Sequence, residues 1–304
     1  MKSGSTRPRQ VDRGRRRIVR VLPVLPVLRS LLGAASAVGL PVSMVPAIAS
    51  AALSDSGVRR SALVIGNGAY KIAPLKNPII DARAIAAALA GLGFAVDLKT
   101  DTSRRELIEG LRQFAFAADR SDVRVLFYAG HGVQAKGRNY LLPVDAEPKS
   151  EADIPGTGAD AAEFIDRLGE VEHGINIVIL DACRANPFTG GVVVGPDGRR
   201  MKFRGLTPSG LAALEAPVGT LVAFSTSPGG VALDGPRGEH SIYAKHLLQL
   251  LPTPGLAIEQ LFKRIRIDVA RETGRVQVPW ESSSLTADFC FRPDRGGGCN
   301  DFAG

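Results

Sequence analysis

Ile177-Val178-Ile179-Leu180-Asp181-Ala182-Cys183-Arg184 is the stretch from which the fold of this chain is read. It opens with an uncharged, largely β-branched run, the composition of a strand buried on both faces of a parallel sheet. The run then stops in an acid, a small residue and a thiol. A buried parallel strand delivers reactive side chains to the edge of its sheet in this way. A second run ends alike upstream: Val123-Arg124-Val125-Leu126-Phe127-Tyr128-Ala129-Gly130-His131-Gly132. One strand thus ends in a histidine and another in a cysteine. Sites in open α/β sheets form outside the carboxyl ends of the strands, where both residues stand. The expectation is a Cys-His hydrolase.

Moving outward, strands and helices alternate. Ala62-Leu63-Val64-Ile65 reads as a buried strand closed by Gly66-Asn67-Gly68. Gly66-x-Gly68 lacks the third glycine of a dinucleotide loop, and no helix follows at once, so it reads as a plain turn. Pro78 suits the first turn of a helix to about Leu92. Ala95–Leu98 is a strand, and Thr102 or Ser103 caps a helix over Leu107, Leu111 and Phe114. Residues 137–144 read as a hairpin, Ala159–Leu168 as a helix, and 189–210 as a long mobile loop rich in Gly, Arg and Pro. Leu221–Ser225 is a further strand, followed by helices over Ser241–Leu251 and Ala257–Glu272. The alternation predicts a mostly parallel sheet with helices on both faces.

The chain has 304 residues, 45% of them hydrophobic, enough for a substantial core. Its net charge of +8 suggests a nucleic-acid partner until the charge is located. Nine of the 38 basic residues and one of the 30 acidic residues fall in residues 1–51, which leaves 29 of each elsewhere. The globular part therefore has no basic footprint, and no nucleic-acid partner is expected.

Residues 1–51 have a basic stretch to Arg20, an uncharged run from Leu31 to Leu53, and small residues at Ala47-Ile48-Ala49 and Ala49-Ser50-Ala51. This is the layout of an export signal, and Arg15-Arg16-Arg17-Ile18-Val19-Arg20 resembles a twin-arginine type. The alternative is an uncleaved membrane anchor. A periplasmic or secreted protein is expected, with contact to a membrane only through this segment if it is retained. Residues 52–58 are a linker. Of the three cysteines, Cys290 and Cys299 stand close enough in sequence for a disulfide in an oxidising compartment, leaving Cys183 free.

A thiol at its ordinary pKa is mostly protonated, so it needs a neighbouring base or positive charge to become a good nucleophile. His131 is the candidate base for Cys183. Gly132 lets the backbone approach a substrate, and its N–H, with that of Cys183, is the candidate oxyanion hole. Taken singly, a buried cysteine is an inert core residue and a lone histidine a satisfied polar group. What distinguishes this pair is context: His131 lies between two glycines, and Cys183 follows an acid at a strand end. No Cys/His pair has the spacing of metal ligands, so no metal is expected.

Tyr128-Ala129-Gly130-His131-Gly132 together with Asp181-Ala182-Cys183-Arg184 resembles the caspase superfamily of cysteine peptidases, of the bacterial caspase-like type. In caspases the histidine lies about 50 residues before the cysteine motif; here the spacing is 52. The resemblance runs from about Arg59 to Phe291 and includes Asn77-Pro78-Ile79-Ile80-Asp81-Ala82 and Pro279-Trp280-Glu281-Ser282-Ser283-Ser284. It implies a three-layer α/β/α sandwich around a mostly parallel, about six-stranded sheet. A large-subunit-like catalytic region is expected over 59–188, an intersubunit-type loop over 189–210, a small-subunit-like region over 211–292 and a Gly-rich tail over 293–304. Cys183 would attack the scissile carbonyl and His131 would handle the proton.

Animal caspases carry Gln where this chain has Asp181. Asp181 and Asp81 match instead the acids that metacaspases and paracaspases use in the pocket for the residue before the cut. The resemblance therefore implies cleavage of protein or peptide substrates after Arg, then Lys, because buried carboxylates favour a cation and reject an anion. Taken alone, Asp81 reads equally as an acid at a helix N-terminus; for Asp181, where the pocket reading is favoured, the competing one is a structural hydrogen bond to a nearby loop. Metacaspases commonly depend on calcium through an acidic cluster; no comparable run of acids occurs here, and no cofactor is expected. Arg199, Arg200, Lys202 and Arg204 lie where relatives are cut between subunits, so self-cleavage is an expectation. Caspases and paracaspases pair through an edge strand and metacaspases are monomers; a homodimer stays open, as does a catalytically idle binding module of the same fold.

Overall fold

A computed structural model of the chain describes residues 57–71, 73–183, 191–194, 200–203, 214–228, 230, 232–236, 238–295 and 299. Of Cys183 and of residues 191–194 and 200–203 only the backbone is described. The 1–51 segment and most of the 293–304 tail, and with them the export and anchor expectations, lie outside these residues.

In chain order the elements are β1 (Arg60–Gly66), α1 (Pro78–Gly91), β2 (Ala95–Thr100), α2 (Arg104–Phe116), β3 (Val123–Ala135), β4 (Arg138–Leu141), α3 (Ile154–Thr157), β5 (Ala159–Asp160) and α4 (Ala161–Gly169). Then come β6 (Ile175–Cys183), β7 (Gly191–Val194), β8 (Arg200–Phe203), β9 (Thr220–Phe224), α5 (Ile242–Leu250), α6 (Ile258–Glu272) and β10 (Trp280–Ser283). Six strands lie side by side in the order β10-β9-β6-β3-β1-β2. All pair in parallel except β10, which runs antiparallel to β9.

The apolar runs explain this order. Side chains alternate between the faces of a strand, so a strand that is apolar at every position must be covered on both sides. Ala62, Val64, Val125, Phe127, Ile177, Ile179, Leu221 and Ala223 share one core with α1, α5 and α6. Leu63, Ile65, Leu126, Tyr128, Val178, Leu180, Val222 and Phe224 share the other with α2 and α4. The three-layer α/β/α sandwich around a mostly parallel sheet is therefore the observed fold. Gly66 allows the tightest helix contact: a Cβ there would stand 2.5 Å from the Pro78 carbonyl oxygen at the start of α1.

The charged residue in the β3 run, Arg124, is fully buried. Its guanidinium donates to the carbonyls of Ala118 (2.8 Å), Ser121 (3.1 Å) and His173 (2.6 Å), and burial lowers its pKa to about 10. This cage closes the amino end of β3, opposite the end that carries His131.

Several boundaries differ from the sequence expectations. β3 does not end at His131-Gly132 but continues to Ala135, and the expected 137–144 hairpin is its return arm, β4. The turn is Lys136-Gly137, both at positive φ (49° and 77°), the geometry of a two-residue turn that matches strand twist. The helix expected from Ala159 begins at Ala161, because Ala159 and Asp160 pair with β4 and the Asp160 side chain accepts from the Ala162 N–H at 2.9 Å as N-cap. Of the two candidate caps for α2, Ser103 forms a capping box with Glu106; Thr102 is buried against Asn67. Within the 189–210 stretch expected as a loop, the backbones of β7 and β8 pair antiparallel, consistent with the β-branched Val192-Val193-Val194. Cys290 and Cys299 form a disulfide with Cα atoms 5.6 Å apart.

Candidate active site

The pairing of β3 with β6 ends on the rung where His131 stands opposite Cys183. Two residues remote in sequence are thereby set side by side at the carboxyl edge of the sheet. Beyond this rung β3 goes on with β4 as its partner.

The connection between β1 and α1 holds the imidazole. The Ala73 carbonyl oxygen lies 2.7 Å from His131 Nε2. A carbonyl can only accept, so Nε2 carries the proton and Nδ1 is the nitrogen left unprotonated. The Tyr70 ring packs on the imidazole, with centroids 4.3 Å apart. Burial pushes the His131 pKa below the usual imidazole value, opposed by the Ala73 carbonyl and the negative charge of Asp234. The neutral imidazole is thus the favoured resting form.

Gly132 follows on β3. The carbonyl of Ala129 accepts from the Asn67 N–H, and that of His131 from the Leu142 N–H, both at 2.9 Å. Polar backbone groups alternate from side to side along a strand, so those of Gly132 are directed to the β6 side, where Cys183 ends its strand. Gly68 and Ala69 donate their N–H groups to Asp101 Oδ1, each at 2.8 Å. The amides of the Gly66-x-Gly68 turn thus serve a carboxylate of the chain itself, as a plain turn requires.

Asp181 precedes Cys183 by two residues on β6. Its side chain is buried and accepts from Ser241 Oγ at 2.5 Å. Burial, and after it the negative charge of Asp81, push its pKa up to about 7. Asp81 lies on the first turn of α1 and is also buried. It pairs with His240 Nδ1 at 2.7 Å and accepts from the Ser241 N–H at 3.2 Å. Burial raises its pKa, against the opposing pull of His240 and Ser241.

Ser241 joins the two acids. Its N–H serves Asp81, its hydroxyl proton serves Asp181, and its Oγ accepts from the Ala244 N–H at 2.9 Å as the N-cap of α5. The expected pair of acids is thus brought together beside the His131–Cys183 rung. Asp234 is a third acid that the sequence reading missed. It accepts from the Lys76 N–H at 3.1 Å, its pKa is raised by burial, and its charge acts on both Asp181 and His131. Asn77 staples the Asp234 segment by donating to the Pro236 carbonyl (2.9 Å) and accepting from the Gly238 N–H (3.1 Å). The signal for it was present, since Asn77-Pro78 belongs to a motif that the sequence reading quoted without a physical role for the asparagine.

Tyr70, Ala73 and His240 were likewise not foreseen. Chemically, a base with a fixed tautomer beside a strand-end cysteine is suited to nucleophilic attack, and buried acids short of counter-charge are suited to receiving a cation. Among the described residues, no group of three or more His, Cys, Asp or Glu side chains is arranged to hold a metal ion.

A family model describing the caspase domain matches residues 59–290. Mucosa-associated lymphoid tissue lymphoma translocation protein 1 of Homo sapiens is 31% identical over 124 residues, which are 40% of this chain and 15% of that protein. Its homolog in Mus musculus is 31% identical over 124 residues, 40% of this chain and 14% of that protein. The matched region thus covers about one seventh of these curated relatives.

Proposed function

The chain belongs to the caspase-domain family of cysteine peptidases, and from that premise we propose that it is an endopeptidase cutting after Arg and, more slowly, Lys. Cys183 is the nucleophile. Its sulfur adds to the scissile carbonyl, a C–S bond forms, and the carbonyl π electrons move to the oxygen. The N–H groups of Gly132 and Cys183 stabilise that oxyanion. His131, having taken the thiol proton on Nδ1, gives it to the leaving amine as the C–N bond breaks. Water then attacks the thioester with His131 as base, releasing the carboxylate product and restoring the thiol.

Asp181 and Asp81 receive the substrate cation. The single observation that carries this specificity is the Ser241 bridge between two buried acids beside the catalytic rung. Burial raises the pKa of both carboxyls; a guanidinium supplies positive charge and has the donors to satisfy both. Export is supported by the Cys290–Cys299 disulfide, which suits an oxidising compartment. Self-cleavage at Arg200 or Lys202 would require the β7–β8 pairing to open first. A second copy would add at β10, the edge of the sheet, where Trp280 is half exposed.

The decisive test is a panel of fluorogenic peptides with Arg, Lys or Asp before the cut, run with and without calcium and with Cys183→Ala alongside. Turnover in the order Arg, Lys, Asp that vanishes in Cys183→Ala is expected. Preference for Asp would sink the pocket assignment. No turnover from a folded wild-type chain would favour the idle binding module.

A further inference from the structure

The β3–β4 hairpin has an irregular rung at the histidine. A two-residue turn makes Ala135 and Arg138 a hydrogen-bonded pair, so every second pair beyond it should exchange two backbone bonds. Val133–Tyr140 is the next such pair, and the register continued one step past Gly132–Leu141 would make His131–Leu142 the one after. At that third rung one bond is present: the Leu142 N–H donates to the His131 carbonyl at 2.9 Å. Its reciprocal is replaced by a side chain. The His131 N–H donates to Tyr70 Oη at 2.8 Å, and Tyr70 Oη in turn donates to the Leu142 carbonyl at 3.0 Å.

A proton count shows that the insertion is fully satisfied. Tyr70 gives its hydroxyl proton to Leu142. Tyr128, whose hydroxyl lies 3.2 Å from that of Tyr70, has one proton to give, and the Leu142 carbonyl at 2.8 Å and the His131 carbonyl at 2.9 Å are both within its reach. Burial raises both phenol pKa values, so both protons stay in place. Room for two phenol oxygens is made by Gly130, where a Cβ would stand 2.5 Å from Tyr70 Oη and 2.8 Å from Tyr128 Oη.

We propose that Tyr70 is a positioning residue for His131: its hydroxyl wedges the third β3–β4 rung open and, with the ring on the imidazole, fixes where the base stands relative to Cys183. This rests on the Cys183–His131 assignment above. Without the hydroxyl the rung can close into an ordinary ladder, moving the His131 backbone toward β4 and away from the nucleophile. The ring contact survives in Tyr70→Phe, so the variant isolates the wedge.

The test compares wild type, Tyr70→Phe and His131→Ala in the full chain. The first readout is turnover of an Arg peptide. The second is the rate of Cys183 alkylation by iodoacetamide as a function of pH, which needs no substrate and, with Cys290 and Cys299 joined, reports on the one remaining thiol. Tyr70→Phe is expected to lower kcat about tenfold, the equivalent of one buried hydrogen bond of about 1.4 kcal/mol, with KM within about twofold. Its alkylation profile should move toward that of His131→Ala, while circular dichroism and Tm show a folded protein. A Tyr70→Phe profile and kcat equal to wild type would overturn the proposal. So would a loss of turnover that tracks the unfolded fraction with the profile unmoved. If His131→Ala leaves the wild-type profile unchanged, the dyad assignment itself falls, and that arm tells the two failures apart.

Discussion

Asp181 carries two opposed consequences of one displaced pKa. Its carboxyl titrates near 7 in the folded chain because burial and Asp81 disfavour its charge. An unfolded aspartate titrates near 3.9. Between these values the folded state binds the extra proton, so the contribution of this group to stability is full below about pH 4 and is lost as pH rises toward 7. Asp181→Asn removes that loss. It is expected to raise the Tm at pH 8, relative to wild type, more than at pH 4.5, as thermal melts at the two values would show. The same change should lower kcat/KM for Arg peptides by about a hundredfold, because the cation loses one of the two acids that receive it. In the wild type the cation needs the ionised acid, so kcat/KM for an Arg peptide should rise with pH through about 7. The same peptide with neutral citrulline in place of Arg should lack that limb. A matching limb for both peptides would assign the titration to the dyad instead.

At the scale of elements, the glycine before the histidine is a demanding position. Gly130 has φ 157°, and a side chain there would meet two phenol oxygens. Gly130→Ala is expected to cost about 1–3 kcal/mol of stability and most of the turnover, read by urea denaturation and the Arg peptide. Gly137→Asn is the control: its φ of 77° has open space around it, and Asn tolerates that region, so both measurements should stay near wild type. The elements also show what a sequence makes visible. β1, β3, β6 and β9 were legible because a strand covered on both faces has to be apolar throughout. β10, with Trp280-Glu281-Ser282-Ser283, was not, because an edge strand is short and half-solvated and carries no such signature. Asp81 and Asp181 were found through motifs. Asp234 and His240 were not, since they arrive on an irregular segment whose course depends on Asn77. The carbonyl of Ala73 is invisible in any sequence, because every residue has one.

For the molecule as a whole, the Cys290–Cys299 bond joins the end of the fold to its tail, well away from the catalytic rung in the chain. Cys290 is buried among Phe289 and Phe291, which belong to the same core as α1, α5 and α6. Closing a short loop of this kind stabilises by about 2–3 kcal/mol, chiefly through the unfolded chain. Cys290→Ser is therefore expected to lower the Tm while kcat at 25 °C is kept; a loss of kcat in protein that is still folded would tie the tail to the site.

Ser241 has a consequence for the order in which this molecule becomes capable. Asp81 and Asp181 come from the first half of the fold, whereas the residue that bridges them starts a helix of the second. On the proposed reading, the receptacle for a cation is complete only with α5 in place. On that reading, specificity for a basic side chain is thus the part of the site that depends on the second half of the chain.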